Sequence, residues 1–99
     1  MIIDKTSEGE KLTLTISGRL DTNSSPKLEA ELKQSIGGVS ALIFDFSDVE
    51  YISSAGLRVL LAAQKVMNRQ GSMKLTGVKP DVMEVFEITG FSDILTIEE

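Results

Sequence analysis

From Ala41 to Phe46 the chain is nearly all apolar, and Leu42, Ile43, Phe44 and Phe46 fill both parities of an extended segment. Such a run is the signature of a strand covered on both faces, which makes it the central strand of a sheet. A helical stretch, Ser53 to Gln70, follows it, and then a second strand, Ser72 to Gly77. Strand, helix and strand in that order call for a right-handed parallel crossover.

The rest of the chain extends this pattern in both directions. Ile2 to Ser7 and Lys11 to Ser17 flank Glu8-Gly9-Glu10, and Leu12, Leu14 and Ile16 alternate with Thr13 and Thr15, which predicts a hairpin with one buried face. Ser25 is placed to cap a helix with Pro26 at its first position, running to about Ile36 along an apolar stripe of Leu28, Leu32 and Ile36 and stopped by Gly37-Gly38. Asp81 to Thr89 is a third helix, with Val82, Val85, Phe86 and Thr89 on one side and Gly90 as its stop. Ile94, Leu95 and Ile97 are the material for a last short strand. The order β-β-α-β-α-β-α-β predicts an α/β fold, a mixed sheet of four to five strands with three or more helices packed against it. At 99 residues the chain is expected to be one domain, 1–99.

Composition then removes most function classes. With no cysteine and no histidine there is no disulfide, no Cys/His zinc site, no thiol nucleophile and no usual serine-hydrolase base. Neither G-x-S-x-G nor a phosphate-cradling glycine loop occurs, so no catalytic residue, metal ligand or cofactor site is nominated. Fifteen acids against ten bases, net −5, repel a phosphate backbone, and nucleic acid is not an expected partner. The longest apolar run after the N-terminal segment, Val59 to Ala63, has five residues, so a cytoplasmic protein without a membrane anchor is expected.

The segment from Asp45 to Arg58 leaves the central strand and enters the second helix, the kind of sheet edge where α/β proteins place their sites. Ser53 and Ser54 stand at the helix start. A serine there satisfies an orphan N–H by capping. Equally, a phosphate on a first-turn serine would lie beside free N–H groups and the positive end of the helix dipole. Charge is segregated along the chain: residues 51–80 hold five bases and no acid, residues 81–99 six acids and no base. At about 100° per residue, Ser54, Leu57, Arg58, Leu61, Lys65 and Arg69 share one arc, leaving Val59, Leu60, Ala62, Ala63, Val66 and Met67 to cover the sheet. Leu57 and Leu61 are then expected on the surface beside a basic stripe, a composition that fits a protein partner.

Two motifs carry a family resemblance. Ser17-Gly-Arg-Leu-Asp-Thr22 resembles the G-x-[LI]-D loop, and Val49-Glu-Tyr-Ile-Ser-Ser-Ala-Gly-Leu57 the phosphoacceptor turn, of the bacterial anti-sigma factor antagonists, single STAS-domain proteins. The resemblance spans nearly the whole chain and implies a STAS-like fold. By position it assigns phosphorylation to Ser54 and partner binding to Asp21, Thr22, Ser53, Ser54, Ala55, Gly56 and Leu57, and the basic arc of the second helix adds Arg58, Leu61 and Lys65 to that expected partner surface. Ser53 stands where the family usually has aspartate, which makes Ser53 a second candidate acceptor.

What the resemblance implies for function is partner switching in transcription regulation. The unphosphorylated protein binds an anti-sigma factor that is also a serine kinase and frees the sigma factor. Phosphorylation ends the complex, and a PP2C-type phosphatase restores it. The alternative is a constitutive STAS scaffold, or a regulatory subunit of a larger signalling or transporter assembly.

Overall fold

The computed structural model describes residues 1–98. Its elements are β1 (Ile2–Glu8), β2 (Lys11–Leu20), α1 (Ser25–Ser35), β3 (Ala41–Ile52), α2 (Ser54–Gln70), β4 (Ser72–Thr76), α3 (Pro80–Thr89), a single 3-10 turn at Phe91–Asp93, and β5 (Ile97–Glu98). The strands lie side by side in sequence order; β1 and β2 are antiparallel and every later pair is parallel. The expected mixed sheet with three helices is therefore present.

Because each crossover steps one place in the same direction, right-handedness sends all three helices to one face. Burial follows: Leu12, Leu14, Ile16, Leu42, Phe44, Phe46, Met73 and Leu75 are buried, whereas their sequence neighbours Thr13, Thr15, Ala41, Ile43, Lys74 and Thr76 are only half-covered. This corrects the expectation that β3 is covered on both faces. Ile43 is half-shielded on a face carrying threonines, and crossovers of one hand place the three described helices on the other face. On the helix side, Phe44 meets Phe46 edge-on at 6.2 Å and Phe46 lies 6.4 Å from Phe86 of α3, which ties β3 to the third helix.

The strands also run further than their alternation indicates. β3 continues from Phe46 to Ile52 and β2 from Ser17 to Leu20, and the pairing between them shifts register twice, at Thr15/Ser17 and at Gly18/Arg19. Each shift places an extra β3 residue opposite β2, so the buried positions change from Leu42, Phe44 and Phe46 to Val49 and Ile52. Period two is lost at the bulges, although the ladder is not. Gly18, at φ +95°, lies at the second shift, a left-handed backbone that favours glycine.

Three boundaries move as well. Ser24 is the N-cap of α1 and Ser25 its first residue, one position earlier than predicted, and the helix ends at Ser35. α3 begins at Pro80 and stops at Gly90, whose φ of +81° is the left-handed helix stop expected there. The last strand is Ile97–Glu98; Leu95 is buried in the core and Ile94 is exposed.

Candidate functional site

β2 and β3 are parallel neighbours, so their C-terminal ends reach the same edge of the sheet, with Leu20 opposite Ile52. The Ser53 N–H donates to the Leu20 carbonyl at 2.9 Å, joining the two loops that follow. Gly56 fixes how close they come. A Cβ there would lie 2.9 Å from Ile52 Cγ1 and from Leu20 Cγ, and 3.0 Å from Leu20 O, so the first turn of α2 seats flush against the end of β2 only with glycine.

The first loop is closed by its own side chains. Asp21 Oδ1 accepts from the backbone N–H groups of Asn23 and Ser24, each at 3.0 Å. Ser24 Oγ accepts from the Asp21 N–H at 2.9 Å and has its one proton to share between Arg19 O at 2.7 Å and Asp21 Oδ1 at 3.1 Å. Ser25 Oγ donates to the Asp21 carbonyl at 2.5 Å. The Ser24 N–H chiefly, helped by the Ser24 hydroxyl, the Asn23 N–H and nearby Arg19, holds the Asp21 carboxyl below its ordinary value of 3.8 against an opposing effect of burial. Asp21 is thus a loop-former whose outer oxygen lies 3.7 Å from Arg19 Nε. Thr22 is exposed at the loop's tip.

The second loop is left open. Ser53 is the N-cap of α2 in an extended conformation, and its carbonyl accepts the Leu57 N–H at 3.0 Å, but its side chain caps nothing. Ser53 Oγ is buried without a partner. The capping role weighed for these serines is therefore not the one found. Ser54 is the first helical residue and is exposed, beside first-turn N–H groups that no side chain caps. Ala55 is half-buried behind it.

Along α2 the exposed surface is rotated from the expected one. Leu57 is only 6% exposed and belongs to the core with Val59, Leu60, Ala63 and Met67, which overturns its placement on the surface. Leu57 lies at the border of the arc shared with Ser54 and Arg58, and that border is buried in the core. On the opposite border Ala62 and Val66, expected to cover the sheet, face outward, Val66 at 38%. Arg58, Lys65 and Arg69 are exposed as predicted, and Leu61 is half-buried between them. Among the described residues none of these three bases has a carboxylate within 4 Å.

Two features escaped the sequence reading. The Arg19 guanidinium lies 4.1 Å above the Tyr51 ring, a pair set by the bulged register that puts Arg19 opposite Tyr51, and no sequence spacing announces it. Beside Ser54, Ala55, Arg58 and Val59 of α2 face Thr22, Ser25, Pro26 and Glu29 across a cleft. That cleft continues between the helices as an apolar groove floored by Leu32, Ile36, Val59, Ala63 and Val66. The contact of α1 with α2 was the missing information. Among the described residues no group of three or more acidic side chains is placed to hold a metal, and no helix is long and apolar enough to cross a membrane.

The geometry has close parallels. The STAS domain family model matches residues 2–99. A protein named as an anti-sigma factor antagonist, BtrV of Bordetella bronchiseptica, is 40% identical over 88 residues, covering 87% of this chain and 76% of that one. The anti-sigma-B factor antagonist of Bacillus subtilis is 30% identical over 96 residues, covering 96% and 88%. The anti-sigma factor antagonist SpoIIAA in its unphosphorylated form superimposes with a TM-score of 0.78 at 19% identity, over 99% of this chain and 88% of that one, and its phosphorylated form with 0.77. A chain with this sheet order, this loop pair and these relatives belongs to the STAS-domain family of anti-sigma factor antagonists.

Proposed function

We propose that the protein is a phosphorylation-controlled anti-sigma factor antagonist whose switch is Ser54. The observation that carries this reading is the contrast within two residues: Ser54 Oγ is exposed at an uncapped helix N-terminus, and Ser53 Oγ is buried. Unphosphorylated, the protein offers a partner the exposed face around Ser54, with Thr22 and the Asp21 loop on one side and Ala55, Arg58, Leu61 and Lys65 along α2. Leu57 and Gly56 support that face from beneath, and Ser53 holds the two loops together through its backbone. The partner is an anti-sigma factor with serine-kinase activity, and its capture frees the sigma factor.

In the off step the γ-phosphoryl of ATP passes to Ser54 Oγ, the hydroxyl proton leaves to the kinase and ADP departs. The chain supplies only the acceptor and its surroundings; it is not itself an enzyme. The phosphate brings about −1.5 to −2 charges and three acceptor oxygens to a face that carries Arg58 on the same side of α2. Free first-turn N–H groups and the helix dipole stabilise the anion in place, so the fold is kept while the surface changes sign. Hydrolysis by a phosphatase of the PP2C type, releasing inorganic phosphate, resets the surface. The protein acts in the cytoplasm.

The test is binding of Ser54→Ala and Ser54→Asp to the kinase anti-sigma factor in the presence of ATP. The expected result is a persistent complex with alanine and at least a tenfold weaker one with aspartate, both variants melting with the wild type. Equal binding by the two would make the protein a constitutive scaffold.

A further inference from the structure

The helix side of the molecule carries a second surface that the switch does not use. On α3, Val82 and Phe86 are buried and Asp81, Glu84, Glu87 and Ile88 lie on the opposite, exposed side. Ile88 is 76% exposed and Ile94, just beyond the helix, 48%, the two most exposed large apolar side chains on this half of the protein. Ile2, also well exposed, lies on the far β1 edge, and Tyr51 and Val66 are exposed to a lesser extent. Among the described residues, Asp81, Glu84, Glu87 and Asp93 have no base within 4 Å.

The exposed side of α2 is its complement. Among the described residues Arg58, Lys65 and Arg69 have no carboxylate within 4 Å there, and Leu61 on one flank and Ala62 and Val66 on the other supply apolar surface beside them. Both helices pack on the same face of the sheet and turn these sides away from it. Acid with isoleucine on one helix and base with aliphatic side chains on its neighbour are complementary in charge, and each carries exposed apolar surface. Within a chain they point outward side by side, so neither can cover the other.

We infer that the exposed sides of α2 and α3 associate with a second copy of this chain, α2 of one protomer against α3 of the other and the reverse. A two-fold axis between the helices closes the pair, burying Ile88 against the Leu61–Val66 surface and setting Glu84 and Glu87 against Lys65 and Arg69. Ser54 and Arg58 lie on the same side of α2, so self-association competes with any partner that docks there. The inference stands on charge and exposure and does not require Ser54 to be phosphorylated.

Sedimentation equilibrium of the full chain tests it. The wild type is expected as a reversible dimer at low salt whose Kd rises about tenfold between 50 and 500 mM salt, because exposed ion pairs are screened. Lys65→Glu/Arg69→Glu makes both sides acidic and Glu84→Lys/Glu87→Lys makes both basic, so each variant alone should be monomeric. Mixed, the two should recover a one-to-one heterodimer. Ile88→Ser should weaken the wild-type dimer at least fivefold at any salt. A wild type monomeric at low salt up to high micromolar concentration, or a mixture of folded charge variants that stays monomeric, overturns the inference.

Discussion

Two helices of this protein begin alike. α1 follows β2 with Ser24-Ser25, and α2 follows β3 with Ser53-Ser54, each pair at the same edge of the sheet where a parallel strand ends. At α1 both hydroxyls are engaged, one with the Arg19 carbonyl and the Asp21 loop and the other with the Asp21 carbonyl. At α2 neither hydroxyl has a partner among the described residues: Ser53 Oγ is buried, and Ser54 is exposed. The difference teaches that a Ser-Ser pair at a helix start has no fixed role. Asp21, three positions upstream and already past the end of β2, turns the first pair into structure; the acid three positions before the second pair, Glu50, is still inside β3 and forms no such loop. Neither start has a side-chain cap, and the end whose first helical hydroxyl is left exposed is the end available to a phosphate.

The largest expected effects come from the ground beneath the open end. Leu57→Ala removes a buried side chain under Ser54, and a loss of about 2–5 kcal/mol in denaturant unfolding is expected, where Leu61→Ala should cost under about 1 kcal/mol. An equal, small loss for both would return Leu57 to the surface. Gly56→Ala, which in an open helix would stabilise, should instead cost about 1–3 kcal/mol because its Cβ meets Ile52 and Leu20. Thermal melts of the two glycine-site forms decide the sign.

Next come the serines themselves. Ser24→Ala removes the hydroxyl that bridges Arg19 and Asp21 and is expected to cost about 0.5–2 kcal/mol, whereas Ser53→Ala deletes an unsatisfied buried oxygen and should be neutral or stabilising by up to about 1 kcal/mol. If the two alanine variants melt together, the two helix starts are not built differently.

The smallest effect is a pH dependence. Asp21 and Asp45 both have depressed carboxyl values in the folded protein, Asp21 mainly through the Ser24 N–H and Asp45 mainly through the Ser47 hydroxyl, which lies 2.6 Å away. Their contribution to stability is complete above the ordinary value of 3.8 and is lost as pH falls through the lower folded values. Asp21→Asn should flatten the acid limb of the stability curve below about pH 4 and leave its neutral part almost parallel to the wild type. No change in that limb would mean that the Asp21 loop is not held by its charge.

Much of this architecture is legible from periodicity. Leu12-Leu14-Ile16 and the stripe of Leu28 and Leu32 identify their elements because each obeys a single period. What could not be read is whatever a bulge or a neighbouring element decides. The β3 strand was expected to end at Phe46 because two register shifts interrupt the alternation that marks it. Its second face was expected to be covered because Ile43 is apolar, but three crossovers of one hand leave that face without helices. Ser54, Arg58 and Lys65 lie on the exposed arc where spacing put them. Leu57 does not, since the border of a helical arc is buried or exposed according to how far the sheet reaches. Arg19 over Tyr51 and the α1–α2 cleft depend on contacts between segments, to which a one-dimensional pattern is blind.

Phosphosite mapping bears most directly on the claim that the uncapped start of α2 is the switch. The protein is incubated with ATP and the kinase anti-sigma factor encoded beside its gene, weighed intact, and fragmented to locate any added phosphate. The account predicts one phosphate, on Ser54, with Ser24, Ser25 and Ser53 unmodified. A phosphate on Ser53 or at the α1 start, or none despite tight binding, would contradict it.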